Sequence, residues 1–170
     1  HRQALTSIAF RPDGQRITTC SIDRTVRTWD VRTGEPLRVL FGGHRDWIRD
    51  VAWSPDGAHI ATAGDDGAVR LWDPDSGERQ HRLPGHVGAV HCLKYSPDGR
   101  LLVSGGSDGR VCLFEVAGLQ AAGELGPFPG AVTSLAFEPG GRWLAIAAAD
   151  SVEVWDLDSR SSVRTLRAAG

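Results

Sequence analysis

Apolar residues along this chain come in short runs, broken by Gly-, Pro- or Asp-rich turns roughly every 8 to 12 residues. Between residues 44 and 85, Ile48, Val51 and Trp53 punctuate a first run, Ile60 to Gly64 form a second, and Ala68 to Trp72 a third. A fourth run, Arg79 to Leu83, is mostly polar. The breaks are Pro55-Asp56-Gly57, Asp65-Asp66-Gly67 and Asp73-Pro74-Asp75-Ser76-Gly77. Proline presets φ for a tight turn, glycine accepts the positive φ that closes it, and Asp-Gly favours a two-strand hairpin. The pattern predicts four antiparallel strands. The first three are apolar on both faces and need cover on both. The fourth reads as a polar outer edge. A helical reading fails on the density of turns.

The same unit occurs four times. Pro12, Pro55, Pro97 and Pro139 open equivalent turns, in steps of 43, 42 and 42 residues. Leu5, Ile8 and Phe10 align with Val90, Leu93 and Tyr95, and with Val132, Leu135 and Phe137. Trp29-Asp30, Trp72-Asp73 and Trp155-Asp156 close the third run, with Phe114-Glu115 in the remaining copy. A period in this range, with four strands per copy, reads as one propeller blade per repeat. The expected fold is all-β: a partial β-propeller of four blades, each a four-stranded antiparallel sheet. The expected blade boundaries are 1–43, 44–85, 86–127 and 128–170, the last degenerate. Copies of one unit usually present a surface, whereas an active site usually needs one asymmetric constellation.

Composition narrows the function. The 170 residues carry 19 basic and 21 acidic side chains, a formal net charge of −2. The basic residues are spread along the chain, so nothing in the charge balance points to nucleic acid or an anionic membrane. No run of about 20 apolar residues suggests a membrane span. Cys20, Cys92 and Cys112 lack metal spacing and read as small buried residues of a reducing compartment, which sets the expected location as intracellular and cytoplasmic. His59, His81 and His91 have no ligand spacing, and the glycines are explained by turns, so neither metal nor cofactor is expected. The chain starts at His1 in mid-motif and contains no Met, so it reads as an excerpt of a longer array.

On Gly43-His44, Gly85-His86, the Pro-Asp-Gly turns, the aspartates of the second turn and Trp-Asp, the chain resembles the WD-repeat family of β-propellers over essentially its whole length. The resemblance implies that a His, a Ser or Thr, an Asp and a Trp link the strands of each blade by side-chain hydrogen bonds. These are His1, Thr19, Asp23 and Trp29 in the first blade, and His44, Thr62, Asp66 and Trp72 in the second. In the third they are His86, Ser104 and Asp108, with Phe114 lacking the indole donor. In the fourth, Phe128 and Ile146 replace His and Ser/Thr and the upper turn is one residue shorter, so a looser blade is expected. His, hydroxyl and Asp also suggest a catalytic triad. Recurrence in successive blades, with Thr and Ser alternating, argues for a structural role.

Family members close into rings of six to eight blades. Four blades therefore imply further blades outside this sequence or a second copy joined head to tail. The resemblance implies a non-catalytic interaction scaffold or sensor platform that docks a peptide or protein on its top face. Trp47 is the outlier at a position otherwise held by Ala4, Ala89 and Ala131, and Arg45, Asp46, Arg49 and Asp50 surround it. Asp65 and Ser107, with Ile22 and Ala149, precede the turn aspartates and are further rim candidates. Arg49, His91, Thr6 and Thr133 align one step along the first strand, at the expected channel mouth. Two other classes compete: a self-assembling structural module, and an enzyme using the channel. No single-copy acid or histidine marks the latter.

Overall fold

The computed structural model describes residues 1–167, which form sixteen strands and no helix. Among the described residues there is thus no helix long and apolar enough to cross a membrane. The first sheet comprises β1 (Leu5–Phe10), β2 (Arg16–Ser21), β3 (Val26–Asp30) and β4 (Pro36–Leu40). The second comprises β5 (Ile48–Trp53), β6 (Ile60–Gly64), β7 (Val69–Trp72) and β8 (Arg79–Leu83). The third comprises β9 (Val90–Tyr95), β10 (Leu101–Gly106), β11 (Val111–Glu115) and β12 (Gln120–Leu125). The fourth comprises β13 (Val132–Phe137), β14 (Trp143–Ala148), β15 (Ser151–Asp156) and β16 (Ser161–Arg167). Within each sheet the strands lie in chain order and pair antiparallel. These are four propeller blades.

The first turn of each blade is held by its own polar atoms. Gly57 sits at φ 71°. The Ser54 hydroxyl donates to Asp56 at 2.5 Å and accepts the His59 amide at 2.9 Å. In the Pro139-Gly140-Gly141 turn the aspartate is missing, and Glu138 takes over by accepting the amides of Gly140 (2.7 Å) and Arg142 (3.0 Å).

A bulge explains why the apolar residues of the innermost strands fall at intervals of three and then two. Leu5 pairs with Ser21 but Ser7 pairs with Cys20, leaving Thr6 without a partner in the ladder. The same shift skips Arg49, His91 and Thr133. A bulged residue is re-aimed relative to its strand. Here the four are turned toward a common axis.

Each blade is one sheet thick, so the core lies between blades. Cys20, Val26 and Leu40 of the first pack on Val51, Trp53 and Trp72 of the second. Leu71 and Leu83 pack on Leu93, Leu102 and Phe114, and Val111, Leu113 and Leu125 pack on Phe128, Leu135 and Ile146. Four blades therefore bury three junctions and leave two bare faces. Leu5, Ile8 and Phe10 are 59%, 61% and 61% exposed, whereas their counterparts Ile48, Val51 and Trp53 are 1%, 2% and 6% exposed. At the far end Trp143, Val154, Val163 and Leu166 line an open apolar cleft of about 490 Å³. Leu166 is 51% exposed, while Leu40, Leu83 and Leu125 in the same slot are 1%, 3% and 3% exposed.

Leu83→Ala, at a covered junction, is expected to lower stability by about 2–5 kcal/mol. Ile8→Ala, on the bare face, should change it by less than about 0.5 kcal/mol. Urea unfolding of the two variants measures both.

Candidate functional site

Two blades carry the same chain of four polar side chains, and a third carries it without the tryptophan. In the second, His44 precedes β5, Thr62 lies in β6, Asp66 in the following turn and Trp72 in β7, so the chain crosses three strands. The Trp72 indole N–H donates to Thr62 Oγ1 at 2.9 Å. Thr62 Oγ1 lies 2.8 Å from His44 Nε2, and His44 Nδ1 lies 2.9 Å from Asp66. With Nδ1–H donating to the carboxylate, the Thr62 hydroxyl donates to Nε2, and Arg70 Nη1, 2.8 Å from Nδ1, meets a donor there and not an acceptor. Asp66 also accepts the Arg45 amide at 2.8 Å and pairs with Arg70 at 3.0 Å.

The first blade repeats this: His1 lies 2.8 Å from Thr19 and 3.1 Å from Asp23, and Trp29 donates to Thr19 at 2.9 Å. In the third, His86 lies 2.9 Å from Ser104 and 3.0 Å from Asp108, and Phe114 supplies no donor. Thr62 is fully buried and already engaged by two side chains, so its hydroxyl has no open side for a substrate.

Burial alone would raise the Asp66 pKa, but hydrogen bonds from His44, the Arg45 amide and Arg70 outweigh it and hold the carboxyl well below its ordinary range. Burial, helped by the Arg70 charge and opposed by Asp66, pushes His44 below its ordinary value, so its neutral form is favoured.

The fourth blade solves the same problem with other atoms. Phe128 and Ile146 are both buried, and Phe128 meets the Trp155 ring edge-on at 5.8 Å. The Trp155 indole N–H donates instead to Glu153, two residues back on the same face, at 3.0 Å. The sequence did not single out Glu153. Its signal was its alternate position to Trp155, in a blade whose hydroxyl slot, on the neighbouring strand β14, holds Ile146. The shorter turn is a two-residue link from Ala148 to Ser151, with Ala149 at φ 51°.

The bulged residues Thr6, Arg49, His91 and Thr133 line one axial cleft of about 400 Å³, one from each blade. Arg49 is fixed at its mouth. Its guanidinium donates twice to Asp65, at 2.7 and 2.6 Å, and lies 5.0 Å from the centre of the Trp47 ring. The Asp65 hydrogen bonds, against a smaller burial effect, raise the Arg49 pKa. Asp46 caps the Trp47 amide at 2.8 Å, and the indole remains 44% exposed. Ser107, Arg45 and Asp46 are also exposed.

Asp50, grouped by sequence with the surface around Trp47, turns inward. It accepts the Ser7 hydroxyl of the first blade at 2.6 Å and the Leu93 amide of the third at 3.0 Å. One carboxylate thus ties three blades. The cysteines are buried and unpaired, and burial pushes each thiol up to about 12.

Dispersal of basic residues along the sequence does not carry over into space. Arg24, Arg45, Arg70, Arg79 and Arg82 converge with Asp66 on a cleft of about 690 Å³ between the first two blades. They come from a turn, an interblade loop and two strands, so no local charge run announced them.

Compared with known proteins, the family described as WD domain, G-beta repeat, matches four times, at residues 1–30, 34–73, 77–115 and 124–156. A WD repeat-containing protein from Nostoc sp. is 41% identical over 44 residues, covering 26% of this chain. That stretch is 3% of the relative's own length.

Thr62→Val, which keeps shape and leaves the His44 and Trp72 nitrogens unpaired, should cost about 1–3 kcal/mol. Both His44 and Asp66 have depressed folded-state pKa values, so the unfolded chain binds more protons on acidification. Stability should be full above about pH 6.5, fall below it as His44 is forced to charge, and fall further below about pH 4 as Asp66 protonates. In His44→Asn the part of this loss between about pH 6.5 and 5 should shrink, as read by calorimetric melting across pH.

Proposed function

Because the chain belongs to the WD-repeat family, whose members generally serve as protein-interaction scaffolds, we propose that it is a non-catalytic platform docking a peptide or protein on the axial rim. The observation that carries this is the Trp47–Arg49–Asp65 trio. A large half-exposed indole is held flat by a guanidinium that is itself locked by two hydrogen bonds, at the edge of the axial cleft. Aromatic and arginine side chains fixed before a partner arrives lose little entropy on binding, which is the character of interface hot spots. Asp46 and the exposed Ser107 supply the surrounding polar rim. Asp50 has a different part: it keeps the first three blades in register beneath that rim. The separate buried thiols fit an intracellular, cytoplasmic setting for a sensor or signalling scaffold.

A second reading, assembly, is favoured by the bare end faces. Ile8 and Phe10 at one end and Val163 and Leu166 at the other occupy slots built to be covered, by further blades or by a second copy. The two readings are compatible, since the rim and the end faces do not overlap.

Affinity capture with the intact chain separates them. The platform reading expects one dominant partner, bound at least tenfold more weakly by Trp47→Ala and unchanged by Ile8→Arg. Capture of identical chains alone, lost on Ile8→Arg and kept in Trp47→Ala, would overturn it in favour of assembly.

A further inference from the structure

The arginine cleft between the first and second blades departs from the repeat. Arg24 lies in the turn between β2 and β3, Arg45 in the loop entering β5, Arg70 in β7, and Arg79 and Arg82 on the outermost strand β8. Strand pairing identifies the same five slots at the next junction as Gly67, Val87, Cys112, Ala121 and Glu124. At the third junction they are Gly109, Pro129, Glu153, Ser162 and Thr165. Neither holds an arginine. A scaffold that needed arginine in these slots would carry it at every junction.

The cluster is also costly. Arg70 and Arg82 stand directly opposite each other across β7 and β8, where like charges repel. Arg24 has φ 65°, in the left-handed region that disfavours a residue with a Cβ, where the next two blades place Gly67 and Gly109. Only Arg70 of the five has a carboxylate within ion-pair distance among the described residues. That carboxylate, Asp66, is already engaged by His44 and the Arg45 amide. Arg70 is 4% exposed, and its Nε–H has no hydrogen-bond acceptor. Burial, with repulsion from Arg82 and Arg79, lowers its pKa despite Asp66. Gly42 and Gly43 complete the lining; a Cβ at Gly42 would meet open space, whereas one at Gly43 would collide with the Trp72 ring.

We propose that this cleft is a binding site for a phosphate dianion, carried as the monoester of a phosphorylated peptide side chain or free as inorganic phosphate. Five guanidinium groups against one carboxylate leave a positive surplus, of which a dianion offsets twice as much as a single carboxylate ligand would. Guanidinium forks match the paired oxygens of a phosphate. The cleft's volume of about 690 Å³ leaves space for residues flanking a phosphorylated side chain. Both walls belong to blades present here, so covering the bare end faces does not occlude it. The cleft contains none of Trp47, Arg49 and Asp65, the trio that carries the platform reading, so its failure would leave that reading standing.

Calorimetric titration at constant ionic strength tests this, using inorganic phosphate, a short peptide with one phosphoserine, its unphosphorylated twin and a single-stranded oligonucleotide. One saturable phosphate site per chain is expected, at least tenfold weaker in Arg79→Gln/Arg82→Gln and unchanged in Arg110→Gln. Tighter binding of the phosphopeptide than of phosphate would assign the ester as source; the reverse would assign the free ion. Arg24→Gly should raise the melting temperature while weakening phosphate binding, an opposed pair of effects that a merely structural arginine would not give. Unchanged affinity in the double variant, equal binding of the unphosphorylated twin, or an adventitious weak response equal to that of chloride would overturn the proposal. Binding of the oligonucleotide without binding of either the phosphopeptide or inorganic phosphate would overturn it in favour of a nucleic-acid backbone.

Discussion

A β-sheet one layer thick with two apolar faces has no core of its own. That constraint governs this molecule. Each blade is sound in its backbone hydrogen bonding yet buries Leu, Val and aromatic side chains only against a neighbour. The residues doing so recur slot for slot: Leu40, Leu83 and Leu125 close the three junctions, and Leu166 occupies the same slot with nothing against it. The exposed Ile8 and Phe10 follow from the same geometry, not from any peculiarity of their own sequence. The polar chains through His1, His44 and His86 do a different job. They link strands within a blade, holding each sheet in the shape its neighbour must fit.

Individuality arises where one copy departs from the others. The bulge in the innermost strand is common to all four blades and delivers one side chain from each to the axis. The fold fixes the positions while the sequence chooses the chemistry, here Thr6, Arg49, His91 and Thr133. Asp50 is another departure. Its counterparts are Ser7, Cys92 and Ser134, and only it reaches both neighbours, coupling the first three blades through one carboxylate. The arginine junction is the most extreme departure, because it sets repulsion and backbone strain against the regularity of the rest.

Much of the architecture was legible because period, turn chemistry and alternation all act locally. The Pro-Asp-Gly turns, the four runs per copy and the alignment of His, hydroxyl, Asp and Trp slots need no knowledge of distant contacts, and the structure unites the His, hydroxyl and Asp slots within each of three blades and the Trp slot with them in two. What escaped were features made by pairing across strands. Glu153 could be recognised as an acceptor only once Ile146 was seen opposite it. Asp50 looked like part of a charged surface run and is turned inward by a ladder shift at Arg49. The five arginines are separated by up to 58 positions, from Arg24 to Arg82, and meet only because adjacent blades pack. Charge dispersal in sequence is therefore a poor guide to charge dispersal in a repeat fold.

The claim that neighbours supply the stability of each blade is tested most directly by residue-resolved amide hydrogen exchange under native conditions. The account predicts protection graded by cover. The second and third blades, flanked on both sides, should exchange most slowly at β6, β7, β10 and β11, and the first and fourth should open at lower free energy despite equivalent hydrogen bonding. Equal protection of the corresponding strands in all four blades would contradict it, because each sheet would then be holding itself together.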